Sequence, residues 1–160
     1  MGVAPPDIDL TIRGVCVGDR RPLPDEIYVA IREGDYDGHA DVERALEAGV
    51  AWAIVSDAPG PRRFFVEDTL VAIRKLAGFF RQRFSFPVIA VGGSNGKTTT
   101  KELIAAALGT TASKTRETMN GWTGIPFTIL DGAHSSESPP SARVIEVGID
   151  AVGAMASHAR

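Results

Sequence analysis

The chain has 160 residues, 44% of them hydrophobic and 23% charged, with a formal net charge of −3. That profile describes a globular protein of one medium or two small domains, without the basic field that recruits nucleic acid and without the run of roughly 20 apolar residues a membrane helix needs. The single cysteine, Cys16 between Val15 and Val17, excludes an internal disulfide and reads as a small buried hydrophobe. Residues 1–10 show neither the basic nor the apolar region of a signal peptide, so a cytoplasmic location is expected.

Residues 10–17 and 27–31 are rich in aliphatic side chains and read as strands, parted by the polar, proline-broken segment 18–26. A short helix is expected over 41–48, with Gly49 at its C-terminal cap. A buried-type strand follows over 51–55. Pro59, Gly60 and Pro61 turn the chain, and 64–66 form another short strand. Asp68 can cap the next helix, because its carboxylate accepts from free N–H groups of the first turn. In that helix Leu70, Ile73, Leu76, Ala77, Phe80 and Phe84 recur at spacings of three and four and make one apolar face. Arg74, Lys75, Arg81 and Arg83 lie largely off it and read as a solvated face. Ser85, Phe86 and Pro87 break the pattern, which places a boundary between residues 1–86 and 87–160.

The second part opens with Val88-Ile-Ala-Val, a continuous apolar run typical of a parallel strand covered on both faces. A glycine-rich turn and a helix over 98–108 follow. A strand over 112–115, a helix over 124–130, a strand over 142–147 and a helix over 151–158 complete the pattern. Strand–helix alternation argues for a parallel sheet. The fold class is α/β: a small mixed α/β N-terminal domain followed by the first part of a P-loop parallel-sheet domain.

Gly93, Ser94, Asn95, Gly96, Lys97, Thr98 and Thr99 are the most informative stretch. Small residues let backbone N–H groups converge on an anion. The helix start adds unpaired donors and roughly half a positive charge. Lys97 can reach β- and γ-phosphates, and the Thr98 hydroxyl can ligate Mg2+. Val91 stands where the general phosphate-loop pattern has a glycine, so the match is to the shorter form. Glu146 ends the apolar run Val144-Ile-Glu-Val-Gly. A carboxylate at the C-terminal end of a parallel strand faces the ligand crevice of such sheets and can hold Mg2+ directly or through water.

These stretches resemble the Mur ligases, ATP-dependent amide ligases of peptidoglycan precursor synthesis. The likeness is carried by Gly93-Ser-Asn-Gly-Lys-Thr-Thr-Thr-Lys-Glu, by Asn120 with Gly124-Ile-Pro, and by Val144-Ile-Glu-Val-Gly. Lys101-Glu102 and Gly124-Ile-Pro-Phe-Thr-Ile-Leu most resemble the type that joins D-alanyl-D-alanine to the UDP-muramyl tripeptide. The first half is similar to that type's UDP-binding domain at Asp19-Arg20-Arg21, Ile27-Tyr-Val-Ala-Ile, Asp37-Gly38-His39, Ala48-Gly49-Val50 and Val66-Glu-Asp-Thr-Leu.

The resemblance implies ATP and Mg2+ as cofactors, and a reaction in which ATP phosphorylates a carboxylate and an amine then displaces phosphate. It makes residues 1–86 the UDP-precursor-binding domain and residues 87–160 the start of a central ATP-binding domain. It assigns Lys97 to catalysis and the phosphates, with Gly93, Ser94, Asn95, Gly96, Thr98 and Thr99 around it. Thr98 and Glu146 serve the metal. Asp19, Arg21, Asp37, His39 and Asn120 become candidate substrate contacts. The implied partners are a UDP-linked muramyl peptide and D-alanyl-D-alanine, with no nucleic acid, no membrane and a monomeric state. Arg20, Gly92 and Gly121 depart from the family's usual residues. The family has three domains, so the chain is expected to be part of a ligase and inactive by itself. Open alternatives are a Mur-type ligase with another acceptor, a non-catalytic nucleotide- or UDP-sugar-binding module, and a small P-loop kinase. A GTPase is disfavoured because no Asn-Lys-x-Asp guanine motif is present.

Overall fold

The computed structural model describes residues 12, 14–18, 22–83, 85–115, 123–130 and 140–148. In chain order the first elements are β1 (Gly14–Cys16), β2 (Glu26–Val29), a hairpin of β3 (Arg32–Glu33) and β4 (Tyr36–Asp37), a 3-10 turn (Gly38–Asp41) and α1 (Val42–Glu47). Next come β5 (Trp52–Val55), β6 (Arg63–Phe65) and α2 (Thr69–Arg81). The rest of the chain contributes β7 (Val88–Val91), α3 (Lys97–Leu108), β8 (Ser113–Lys114), α4 (Gly124–Leu130) and β9 (Arg143–Glu146). The helix expected over 151–158, the start of the first strand and Phe84 lie outside the described residues.

Strands β1, β2, β5 and β6 form one parallel sheet in the order β1-β2-β5-β6. Alternate residues of a strand point to opposite faces, and β2 shows the consequence. Ile27 and Val29 join Val15, Ile54, Ile73 and Ala77 in one core. Tyr28 and Ala30 join Cys16, Val42, Leu46, Val50 and Val55 in another. The sheet is therefore covered on both faces, by α2 on one side and α1 on the other. All four β2 residues are buried, and from Ile27 to Ile31 the run reads as apolar rather than alternating because both faces are covered. Cys16 is buried, as a small hydrophobe.

Local signals set the helix ends. Asp68 Oδ1 accepts from Val71 N at 2.9 Å and starts α2. Gly49, at φ +112, follows the end of α1 and donates to Leu46 O at 3.3 Å. The hairpin is absent from the sequence-based expectation. Its turn holds Gly34 at φ +57 next to Asp35, and a Gly-Asp pair between two short runs is a hairpin signal.

Strands β7, β9 and β8 form a second parallel sheet in the order β7-β9-β8. Here one expectation needs correction. Strand β7 is not covered on both faces among the described residues: it lies at the edge, with Val88 and Ile89 half-buried and Ala90 exposed. The fully buried strand is its neighbour β9.

Helix α4 lies between the two sheets. Phe127 and Leu130 join the core of the first sheet, while Ile125 packs with Ile145 and Val147 beside the second. Pro126 is tolerated because it falls in the first turn, where its missing N–H costs no helical bond. At the other end Arg143 Nη1 donates to Thr128 O at 2.9 Å and Ile129 O at 2.6 Å. A cation on the last carbonyls favours the helix dipole. Arg143 is thus a buried structural residue.

Candidate functional site

The chain leaves the C-terminal end of β7 at Val91, turns through Gly92–Gly96 and enters α3 at Lys97. Gly93 has φ +146 and Gly96, the N-cap of α3, has φ +74. L residues with a Cβ rarely adopt these angles, so two glycines are what permit a strand to pass into a helix over so few residues. Helix α3 has no side-chain cap, and its first-turn N–H groups face the loop, the arrangement that accepts phosphate oxygens. Lys97 Nζ donates to Gly93 O at 2.9 Å, folding the ammonium back over the loop. Ser94, Asn95 and Thr99 are exposed around it.

Thr98 Oγ1 donates to Glu146 Oε2 at 3.0 Å, across 48 positions of sequence. The register Val91↔Glu146 explains the meeting. Strand β9 runs parallel to β7, so its last residue stands beside the point where β7 gives way to the loop. The Glu146 carboxylate is almost wholly enclosed, at 2% side-chain exposure. Its backbone N–H donates to Thr115 Oγ1 at 3.0 Å. Lys101 Nζ lies 3.4 Å from Glu146 Oε2 and 3.6 Å from Glu102 Oε1. Lys114 pairs with Glu102 on the outside, and that ammonium, with Lys101, holds the Glu102 carboxyl below its usual range. A hydroxyl and a carboxylate side by side are hard oxygen donors, the set that Mg2+ takes when phosphates and water complete its shell. The described residues contain no cluster of three or more His, Cys, Asp or Glu that could hold a metal by themselves. The residues therefore fit a phosphate-bound Mg2+ rather than a caged ion.

A second polar group lies at the C-terminal edge of the other sheet. Asp37 Oδ1 accepts from His39 N at 3.0 Å and from His39 Nδ1 at 2.6 Å, and Oδ2 accepts from Arg32 Nε at 3.0 Å. The His39 backbone N–H, with Arg32, holds the Asp37 carboxyl well below the usual carboxylate range. His39 Nε2 accepts from Ser56 N at 3.0 Å, with Ser56 Oγ at 3.1 Å. Because a backbone N–H can only donate, Nε2 is the acceptor nitrogen and Nδ1 carries the proton to Asp37. Both nitrogens of His39 and both oxygens of Asp37 already have protein partners. Gly38, between them, sits so close that a Cβ would stand 3.1 Å from the Ile31 backbone and the Tyr28 hydroxyl. Burial raises the Tyr28 phenol, which donates to Gly38 O at 2.9 Å.

The structure thus brings Lys97, Thr98 and Glu146 together with the loop, and Asp37 with His39 elsewhere. Asp19, Arg21 and Asn120 lie outside the described residues. Lys101, Thr115 and Ser56 are members of these networks that the sequence reading gave no chemical role. Lys101 falls three residues after Thr98 on α3, a spacing that puts both on one helix face, so that signal was present. Thr115 and Ser56 are placed by strand register alone.

No family model matches the chain. It is 43% identical, over 131 residues, to the UDP-N-acetylmuramoyl-tripeptide–D-alanyl-D-alanine ligase of Synechocystis, a match covering 77% of this chain and 29% of that protein. It is 38% identical over 150 residues to the enzyme of the same name from Bacillus subtilis, covering 89% and 32%. Among solved structures, the MurF ligase of Thermotoga maritima in complex with ADP aligns with a TM-score of 0.74 at 29% identity, over 95% of this chain and 35% of that one. MurF of Acinetobacter baumannii aligns at 0.77 and 26%, over 92% and 32%. The chain spans about a third of the length of the relatives it matches. With the phosphate loop, the parallel sheets and these likenesses in agreement, the chain belongs, over the region it spans, to the MurF-type Mur ligases.

Proposed function

We propose that the chain supplies the ATP-phosphate cradle and part of the precursor-binding surface of a ligase that joins D-alanyl-D-alanine to a UDP-linked muramyl tripeptide. The observation that carries this reading is the meeting of Lys97, Thr98 and Glu146 at the loop between β7 and α3. ATP would supply the phosphoryl group that activates the tripeptide carboxylate as an acyl phosphate. The amine of D-alanyl-D-alanine then forms the amide bond as the carbon–oxygen bond to phosphate breaks. Bringing an anionic carboxylate to an anionic phosphate is the physical obstacle, so neutralising charge at the transferred group is what the site must do.

In this reading Gly93 and Gly96 let the loop close on the phosphates, and Ser94, Asn95 and Thr99 lie around them. Lys97 leaves Gly93 O and turns its ammonium to the phosphates. Thr98 and Glu146 offer their oxygens to Mg2+. Asp37 and His39 act on the precursor indirectly, by locking the hairpin against Ser56 and so shaping the edge at which the UDP group would lie. Asp19, Arg21 and Asn120 are further proposed substrate contacts. Residues 1–86 and 87–160 are the proposed functional divisions, with α4 reaching across to the first. A cytoplasmic, monomeric protein suits these soluble substrates.

The test is equilibrium binding of ATP to the purified chain by titration calorimetry, with and without Mg2+. Saturable binding that strengthens with Mg2+ and is lost in Lys97→Met is the expected result. Absence of saturable binding, or equal binding by Lys97→Met, would overturn the reading.

A further inference from the structure

Lys101 is among the most enclosed side chains of the molecule, at 1% exposure, although its neighbours on α3 are largely exposed. An ammonium removed from water must be compensated, and so must the carboxylate of Glu146, buried to the same degree. Each compensates the other, and the oxygen that Lys101 faces is the one that also accepts from Thr98. The Glu146 oxygen on which a divalent cation would draw therefore has the Lys101 ammonium 3.4 Å away. On its far side Lys101 has a second carboxylate, Glu102, itself paired with Lys114.

We propose that Lys101 is the internal counter-ion of the metal site: it neutralises Glu146 in the nucleotide-free chain and competes with the divalent cation for that carboxylate. Glu102 gives Lys101 an alternative partner, so the ammonium need not be left alone when Glu146 is drawn to the metal. Enclosed as it is, Lys101 acts through Glu146 and is a positioning residue. The inference rests on the reading of Thr98 and Glu146 as the Mg2+ side of a nucleotide site.

Its signature separates it from an ordinary packing role. Without Lys101, the enclosed Glu146 loses the cation 3.4 Å from its Oε2, and a metal at that carboxylate replaces the missing charge instead of competing with it. Lys101→Met should therefore lower the thermal midpoint of the nucleotide-free chain. It should also enlarge the upward shift given by Mg2+ and ADP, and reduce the half-saturating Mg2+ by about tenfold. Lys101→Arg, which keeps the charge, should restore a Mg2+ dependence near that of the unmodified chain. The measurement is thermal unfolding of the whole chain over a Mg2+ series at fixed ADP. Half-saturating Mg2+ that is unchanged or higher in Lys101→Met overturns the proposal. If Lys101→Met does not fold, the double variant Lys101→Met with Glu146→Gln removes both charges and is expected to fold. Failure of the double variant to recover overturns the proposal too. If the unmodified chain shows no shift with Mg2+ and ADP, it is the nucleotide-site reading itself that fails, a result distinct from either.

Discussion

The two parallel sheets treat burial in opposite ways. The first, β1-β2-β5-β6, carries helices on both faces and spends its interior on apolar side chains: Val29, Val42, Val50, Ala53, Val55 and Ile73 are fully enclosed. The second, β7-β9-β8, has an edge strand with Ala90 exposed, and α3 leaves Leu103 66% exposed. Beside the enclosed Val144, it also encloses two charged side chains, Lys101 and Glu146. Among the described residues the first sheet encloses mainly apolar side chains, while the second also encloses a pair of opposite charges beside a glycine loop. A scaffold and a site are thus kept apart in one chain, with α4 between them.

Substitutions can break or sharpen that contrast. The largest effect is expected in the scaffold. Ile73→Ala removes a side chain that is wholly enclosed and should cost about 2–5 kcal/mol of unfolding free energy. Ile89→Ala on half-buried β7 should cost about 1 kcal/mol, and chemical denaturation compares the two directly. Equal losses would mean the second sheet is as tightly built as the first. Next comes Lys97→Met. It should weaken ATP binding by at least about tenfold, the loss of a charged contact to phosphate, while stability moves by no more than about 0.5 kcal/mol. Calorimetry and a melting curve on the same sample test both halves.

Asp68→Ala is smaller again. Losing the α2 cap should cost about 1 kcal/mol, seen in denaturation, with nucleotide affinity unchanged. Asp37 gives the subtlest effect. Its folded carboxyl is depressed below the ordinary value of 3.8, so the stability it contributes is present above that value. It is lost as pH falls below 3.8 towards the folded one. Asp37→Asn should therefore flatten the acid side of the stability profile over that window and leave neutral-pH nucleotide binding alone. An unaltered acid limb would show that the Arg32–Asp37–His39 network contributes nothing measurable to the scaffold.

Much of this was legible in residue order, for physical reasons that differ by region. The α2 cap at Asp68 and its apolar stripe through Ile73 and Ala77 are local rules, and they held. The shape of the loop from Gly93 to Thr98 was legible because a strand that passes directly into a helix needs glycine at positive φ. The meeting of Glu146 with Thr98 was reachable because parallel strands bring the end of β9 beside the end of β7. What failed was coverage. Val88 to Val91 reads as a strand covered on both faces, yet among the described residues sheet order, a non-local property, puts it at an edge. The hairpin at Gly34 was missed although its turn signal was present. The tie from His39 to Ser56 and the enclosure of Lys101 depend on contacts between distant segments, which periodicity does not encode.

The measurement that bears most directly on the division between scaffold and site is amide chemical-shift mapping of the chain on adding ADP with Mg2+. The account predicts saturable shifts concentrated at Gly93 to Thr99 and at Thr115 and Glu146, with the Asp37, His39 and Ser56 edge nearly still. Shifts centred on that edge instead, or none that saturate, would contradict it.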